Sequence, residues 1–148
     1  MLKKAALIIF TLTFFILSAC SPNQQRLNGD IQETTESLRE IPTFLTRSDK
    51  DTRDTYKKVY EYKDVLKEIP TYEEGPYKNV FETFFYKENA DGTLVWNNHA
   101  LKSGELLAIG RDASNLAKSG TGLADIQKQI EKKYSGEYGA DDPRRNFK

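Results

Sequence analysis

A short apolar run that ends at a cysteine opens the chain, and it limits which residues are left to fold as a domain. Residues 1–4 carry two lysines, residues 5–17 are apolar apart from two threonines, and small residues at 18 and 19 precede Cys20. A charged start, a short apolar middle and a small-residue exit are the three parts of a secretory signal. A membrane-spanning helix needs ~20 apolar residues, so this run favours a cleaved signal over a membrane anchor.

The end of the apolar run, Leu17-Ser18-Ala19-Cys20, resembles the lipobox of bacterial lipoproteins. The resemblance implies a diacylglyceryl thioether on the Cys20 sulfur, with chains such as palmitate, and cleavage between Ala19 and Cys20. Two acyl chains hold a protein on a membrane stably, whereas one chain holds it only marginally. The expected location is therefore the extracytoplasmic face of the cell membrane, with the lipid on Cys20 as the membrane contact. The alternative is an ordinary secreted protein in which Cys20 is incidental.

The cysteine count and the charge exclude several classes of function. Cys20 is the only cysteine, so a chain lipidated there has no disulfide, thiolate metal site or cysteine nucleophile. Removal of Lys3 and Lys4 with the signal leaves 20 basic side chains against 22 acidic ones. A general nucleic-acid binder would show a basic excess instead. The sequence therefore predicts no nucleic-acid partner.

Composition divides the chain into four parts. Residues 1–19 are the predicted signal, and residues 20–37 are polar and predict a lipidated cysteine followed by a flexible tether. Residues 135–148 contain two glycines and a proline without apolar periodicity, which predicts a loose tail. The predicted globular domain is therefore a single unit over residues 38–134.

Within that domain the pattern predicts three helices and one hairpin. Apolar residues at helical spacing predict a helix that begins at Ser48 and ends before Pro70, a second from Ser103 to Ser119, and a third from Thr121 to Tyr134. Leu106, Ile109, Ala113 and Leu116 form the apolar stripe of the second helix. An aromatic-rich segment, 80–86, and a second segment, 93–96, flank the turn signal Asp91-Gly92 and predict a β-hairpin. The predicted fold class is α+β, mainly helical, with about three helices plus one β-hairpin behind the signal and tether.

Candidate chemical groups are few. His99 is the only histidine, which excludes two-histidine metal motifs. Ser103 lies near His99 in sequence, but a nucleophile needs a base within hydrogen-bond reach, and a helix cap explains Ser103 more simply. His99 together with Glu73 and Glu74 could form a weak metal site if the loop after Pro70 folds toward the histidine. The sequence predicts no catalytic residue and no cofactor, and its many aromatic side chains are explained as core, with an exposed binding surface as the alternative.

The order of segments resembles the bacterial lipoproteins named for a Pro-Cys-Tyr-Cys-Gly-Cys motif, over about residues 38–138. The resemblance lies in Ile41-Pro42-Thr43-Phe44-Leu45, in Leu66-Lys67-Glu68-Ile69-Pro70 followed by Tyr72, in Asp91-Gly92 and Val95-Trp96 before His99, in Ser103-Gly104, and in Lys132-Lys133-Tyr134.

The departures from that family bear on function. Where the family motif stands, this chain has Pro70-Thr71-Tyr72-Glu73-Glu74-Gly75, and Phe84, Ser103 and Leu106 stand where the family has further cysteines. The family's cysteines suggest a metal or redox role, and carboxylates or hydroxyls would not preserve the chemistry of thiolates. The resemblance therefore implies a relative that keeps the fold and has lost the cysteine site.

Three functional hypotheses follow, from different classes. The first is a non-enzymatic lipoprotein, anchored in the membrane, that acts through contacts with an envelope protein or another envelope component. The second is a metal-binding or metal-handling lipoprotein that retains only part of the family site. The third, which has the least support in the sequence, is a small envelope enzyme.

Overall fold

The computed structural model describes residues 23–135. The predicted signal, the cleavage site at Ala19 and Cys20, and the tail from residue 136 onward lie outside the described residues.

Four strands form one antiparallel sheet. They are β1 (Gln24–Leu27), β2 (Asp30–Thr35), β3 (Phe85–Glu88) and β4 (Leu94–Asn97), and their spatial order is β1-β2-β4-β3. β2 is therefore an inner strand, with Gln32 opposite Gln25 on one side and opposite Asn97 on the other.

The first hairpin is closed by a two-residue turn. Leu27 pairs with Asp30, and the two residues between them, Asn28 and Gly29, have φ values of 53° and 79°. Positive φ at both central positions is the type I′ geometry, whose twist matches that of the flanking strands and which Asn-Gly adopts readily. The turn thus fixes the register of β1 on β2 and places Asp30 at the first position of β2.

Five α-helices accompany the sheet within the described residues. They are α1 (Lys50–Glu61), α2 (Lys63–Leu66), α3 (Val80–Phe84), α4 (Gly104–Lys118) and α5 (Leu123–Ile130), with short 3-10 turns at Thr43–Leu45 and His99–Lys102 and a π turn at Glu131–Ser135. No helix among residues 23–135 is long and apolar enough to cross a membrane.

This architecture corrects the predicted fold class. A mainly helical domain with about three helices and one hairpin is wrong, because a four-stranded sheet stands beside five helices. The extra strands, β1 and β2, come from the segment predicted as a flexible tether, so the folded unit begins before residue 38. Burial of a polar residue in β2 is offset where neighbours supply hydrogen bonds: the Glu33 carboxylate accepts from Thr43 N at 2.7 Å and from Gln24 Nε2 at 2.9 Å.

Several predicted boundaries move for local reasons. Asp49 rather than Ser48 caps α1, accepting from Thr52 N at 2.8 Å, and the predicted single helix is interrupted at Tyr62. Ser103 caps α4 as predicted, by accepting from Leu106 N at 3.2 Å. Residues 80–84 are helical rather than extended because Asn79 caps them, accepting from Glu82 N at 3.0 Å.

An aromatic cluster joins the helices to the sheet. The Tyr56 ring of α1 stacks on Trp96 of β4 at 6.1 Å, and its hydroxyl donates to Asn97 O at 2.8 Å. Phe84 meets Tyr56 edge-on at 4.7 Å, and Phe85 lies 4.7 Å from Trp96. These rings are fully buried, which supports the interpretation of most aromatic side chains as core.

Leu116 lies at the margin of the core, so Leu116→Ala is expected to lower the free energy of unfolding by only about 1 kcal/mol, below the ~2–5 kcal/mol of fully packed leucines. Its stripe partner Ile109 is completely buried, and Ile109→Ala is expected to cost the full amount. Urea denaturation of proteins that begin at residue 21 compares the two. Equal losses would mean that the two positions are equally packed.

Candidate functional site

Asp30 is the buried centre of a polar cluster at the Asn28-Gly29 end of the sheet. Only 1% of its surface is exposed. Tyr77 donates its hydroxyl to Asp30 Oδ2 at 2.6 Å, and His99 Nδ1 lies 3.0 Å from the same oxygen. The Lys102 ammonium lies 2.6 Å from Asp30 Oδ1 and also donates to Gly29 O at 2.7 Å.

These partners keep the Asp30 carboxyl ionised. Burial by itself raises the pKa of Asp30, but the hydrogen bonds from the three side chains outweigh it, so the pKa lies below its ordinary value. Burial and the bond to Asp30 also raise the pKa of Tyr77 to about 12. Tyr77 is therefore a protonated donor, and Asp30 a charged acceptor, at neutral pH.

His99 is held in place through its backbone and its ring. The preceding residue, Asn98, exchanges two hydrogen bonds with the backbone of Ile31, at 2.7 and 3.0 Å. His99 N donates to Asn97 Oδ1 at 3.1 Å, and the His99 ring packs at 4.7 Å on Tyr77. Because Nδ1 faces Asp30, the other ring nitrogen, Nε2, is directed toward Glu73, whose Oε2 lies 4.0 Å away.

Glu73 comes from the loop between α2 and α3. That loop is closed at its base by a bridge between Pro70 and Asn79 and by a 3.0 Å bond from Thr71 Oγ1 to Tyr77 O. Ser103 donates its hydroxyl to Glu73 Oε1, and the Ser103 oxygen also caps α4. The start of α4 therefore positions Glu73 in front of His99.

A small cleft opens between these groups. Its free volume is about 10 Å³, room for roughly one water molecule. It is lined by Thr71, Glu73, Glu74, Gly75, Tyr77, His99 and Leu106.

The arrangement offers one oriented imidazole and one nearby carboxylate. A histidine whose second ring nitrogen is fixed by a carboxylate is a common feature of metal sites and of general bases. The Ser103 hydroxyl, however, is bonded to Glu73 and not to His99, so these side chains do not form a serine-histidine pair. Among residues 23–135, no set of three or more His, Cys, Asp or Glu side chains is placed to hold a metal ion.

The structure brings together the three residues that the sequence singled out as weak metal candidates. His99 and Glu73 lie 4.0 Å apart, and Glu74 lines the same cleft. Asp30, which contacts His99, and Tyr77 and Lys102, which contact Asp30, are site residues that the sequence pattern did not indicate. The Asn-Gly pair before Asp30 was the available signal, because it is the strongest short hairpin motif. Cys20, the predicted lipidation site, lies outside the described residues.

Comparison with known proteins identifies a family. A family model described as "Protein of unknown function with PCYCGC motif" matches residues 8–145. Comparisons with curated proteins and with solved structures find no match. Since the family match extends over nearly the whole sequence, the chain belongs to the family of proteins of unknown function with a PCYCGC motif.

Proposed function

We propose that this chain is a lipoprotein of the cell envelope, anchored through lipid on Cys20, whose domain acts by contact with envelope partners and not by catalysis. The lipid anchor is supported by the short apolar run that ends in Leu17-Ser18-Ala19-Cys20. The family match begins at residue 8 and thus includes most of this run and Cys20.

The size of the cleft carries the non-enzymatic part of the proposal. Its ~10 Å³ beside His99 admits roughly a water molecule, whereas ligand pockets have volumes of ~300–1,000 Å³. The carboxylates that flank His99 are engaged, Asp30 with three donors and Glu73 with the Ser103 hydroxyl. This is the pattern of a cluster that stabilises the end of the domain and offers a polar surface.

The anchor is tested by Cys20→Ala. The variant is expected to lose all lipid label, because the thioether needs the cysteine sulfur, and to remain as precursor or enter the soluble fraction. Metabolic labelling with a palmitate analogue, followed by immunoprecipitation, measures this directly, and Ser21→Ala serves as the control that keeps the cysteine. Equal label in wild type and Cys20→Ala would refute lipid attachment at this residue.

We further infer that the cleft is a converted cysteine site. The segment Pro70-Thr71-Tyr72-Glu73-Glu74-Gly75 keeps the proline and tyrosine of the family motif, with other residues at the cysteine positions. Three of those positions, Thr71, Glu73 and Gly75, line the cleft beside His99. The convergence of these positions around a histidine supports a site that held a thiolate-bound group in other members.

Metal binding is the second candidate, and the geometry of His99 and Glu73 favours it. The 4.0 Å between Nε2 and Oε2 is longer than the ~3.3–3.6 Å that separates two tetrahedral ligands of one zinc ion, so a small movement of Glu73 would bring both atoms within ligand distance of one ion. Asp30 would then fix the histidine tautomer from behind, as carboxylates do in zinc sites. Two protein ligands without a thiolate predict weak and unselective binding.

Metal content separates the two candidates. Protein purified without a His tag is expected to retain no stoichiometric zinc or copper after dialysis, and elemental analysis measures this. Calorimetric titration with both metals is expected to show at most weak binding, reduced in His99→Ala and unchanged in the remote control Asp125→Ala. Stoichiometric metal in wild type that disappears in His99→Ala would instead establish the metal-binding alternative.

A further inference from the structure

The lipid anchor would join the folded domain at one defined end of the sheet. β1 begins at Gln24, and Asn23 O already accepts a hydrogen bond from Thr34 N at 2.8 Å. Asn23 therefore lies beside the last residues of β2, at the end of the sheet where Thr35 pairs with Leu94. The same end holds the 3-10 turn that starts at Thr43, because Thr43 N donates to Glu33 Oε1 at 2.7 Å.

Very little chain separates this end from Cys20. Three residues lie between Cys20 and Gln24, and an extended chain spans at most ~3.3–3.6 Å per residue. Asn23 is thus at most about 11 Å from Cys20, and a diacylglyceryl group places the cysteine at the level of the lipid headgroups. A chain this short keeps the anchored end of the domain near the membrane surface, whereas a long tether would not.

We propose that the domain rests on the bilayer through the segment Glu36–Thr46, with the cleft at His99 facing away from the membrane. The proposal rests on the lipid anchor at Cys20. The segment follows β2 directly at the anchored end of the sheet. We refer to it below as the membrane-proximal segment.

The side chains of the membrane-proximal segment fit a lipid surface. Ile41 is 38% exposed, although it is a large apolar residue, and Leu38 and Phe44 are only partly covered by the core. Exposed apolar side chains of this kind lie favourably at the boundary between headgroups and acyl chains. The segment carries Arg39 against Glu36 and Glu40, a net charge of −1, so it has no basic excess for an anionic bilayer and the contact depends on chain length and apolar area.

The cleft occupies the opposite end of the sheet. β2 runs from Asp30 to Thr35, and a strand rises ~3.3 Å per residue, so these two residues are separated by roughly 17 Å. His99 and Lys102 contact Asp30, and the cleft lies beyond them. The end that is tied to the membrane and the end that carries the polar cluster are therefore different ends of one rigid sheet.

Site-specific fluorescence on the full-length, processed protein tests this orientation. The mature chain has its single sulfur blocked by lipid, so Ile41→Cys and Glu74→Cys each introduce one free thiol for an environment-sensitive dye. Both positions are exposed, and they lie at opposite ends of the domain. In phosphatidylcholine vesicles that contain nitroxide-labelled lipid, the dye at Ile41 is expected to lose most of its fluorescence, and the dye at Glu74 little.

Two controls make each outcome decisive. Mass spectrometry of the same samples establishes whether the diacylglyceryl group is present; an unlipidated Cys20 would refute the anchor and this inference together. Lipidated protein with equal quenching at both positions would refute the orientation and leave the anchor standing. Inserting a ten-residue Gly-Ser linker after Ser21 is expected to reduce quenching at position 41. Unchanged quenching would contradict the inference that the short chain after Cys20 holds this segment against the bilayer.

Discussion

Gly110→Ala is expected to lower the free energy of unfolding by about 2–3 kcal/mol, although alanine is the better helix former. Gly110 lies inside α4, where that helix crosses α1 and α3. A Cβ at this position would come within 2.5 and 2.8 Å of two carbons of the buried Phe84 ring and within 3.1 Å of Val59. The ring packs on Tyr56 and has no free space into which to move, so the helices must separate.

Gly104→Ala is the matched control for this prediction. Gly104 is the first residue of the same helix, and a Cβ there would meet nothing within 4 Å. Its substitution is expected to leave stability unchanged or to raise it slightly. Urea denaturation of both variants measures the difference, and a Gly110→Ala protein as stable as the wild type would mean that the crossing is looser than its geometry indicates.

Asp30→Ala is expected to cost about 2–4 kcal/mol of unfolding free energy at neutral pH. The substitution removes the shared acceptor of Tyr77, His99 and Lys102 and leaves the buried Tyr77 hydroxyl without its partner. It also removes one of the contacts that tie the 3-10 turn at His99–Lys102 to the first hairpin. Asp51→Ala is the surface control, because Asp51 pairs with Arg111 at 2.8 Å with 70% of its side chain exposed, and its loss is expected to cost less than ~1 kcal/mol.

The difference between wild type and Asp30→Ala is expected to depend on pH in one direction. Because the folded pKa of Asp30 is lowered, its stabilising contribution is fully present above the unfolded value near 3.8. The contribution is lost as the pH falls below that value and through the lower folded pKa. Acid titration of both proteins, followed by circular dichroism, measures this difference in stability. If the difference stays the same below the folded pKa of Asp30, the stabilisation comes from packing and not from the charged carboxylate.

The longer helices, α1, α4 and α5, could be predicted from sequence because their apolar residues recur at helical spacing. Leu106, Ile109 and Ala113 lie on one face of α4 and are fully buried, and the Ser103 cap sits where the sequence indicates. The sequence does not identify the capping residue of a helix where two suitable residues are adjacent. Ser48 and Asp49 both suit the start of α1, and only the backbone conformation decides that Asp49 bonds to Thr52.

The strands β1 and β2 could not be recognised from composition. Asp-Ile-Gln-Glu-Thr-Thr contains one apolar residue, yet four of its six positions are buried, among them Gln32 and Glu33. Burial of such residues depends on partners elsewhere in the chain, such as Thr43 for Glu33 and Tyr77 for Asp30. A composition rule that assigns polar segments to tethers therefore fails where the partners are supplied by tertiary contacts.

Only part of the candidate site could be predicted, because the rest of it also depends on tertiary contacts. The sequence could point to His99 and Glu73 because one is the sole histidine and the other lies in a loop whose Pro70 and Tyr72 resemble the family motif. The distance between them depends on how the loop is closed, through Pro70 and Asn79 and through Ser103. Asp30 lies 69 residues before His99, and no local pattern links the two.

The inner position of β2 also governs the order in which the domain can form. The hairpin of β1 and β2 closes locally, but the ladder between β2 and β4 joins Gln32 to Asn97 and must wait until the intervening chain has been arranged. Pairing across so long a loop is entropically costly and slow. In a chain delivered amino terminus first, β2 thus lacks its partner strand until β4 has arrived, and chaperones and proteases have access to the first hairpin during that interval.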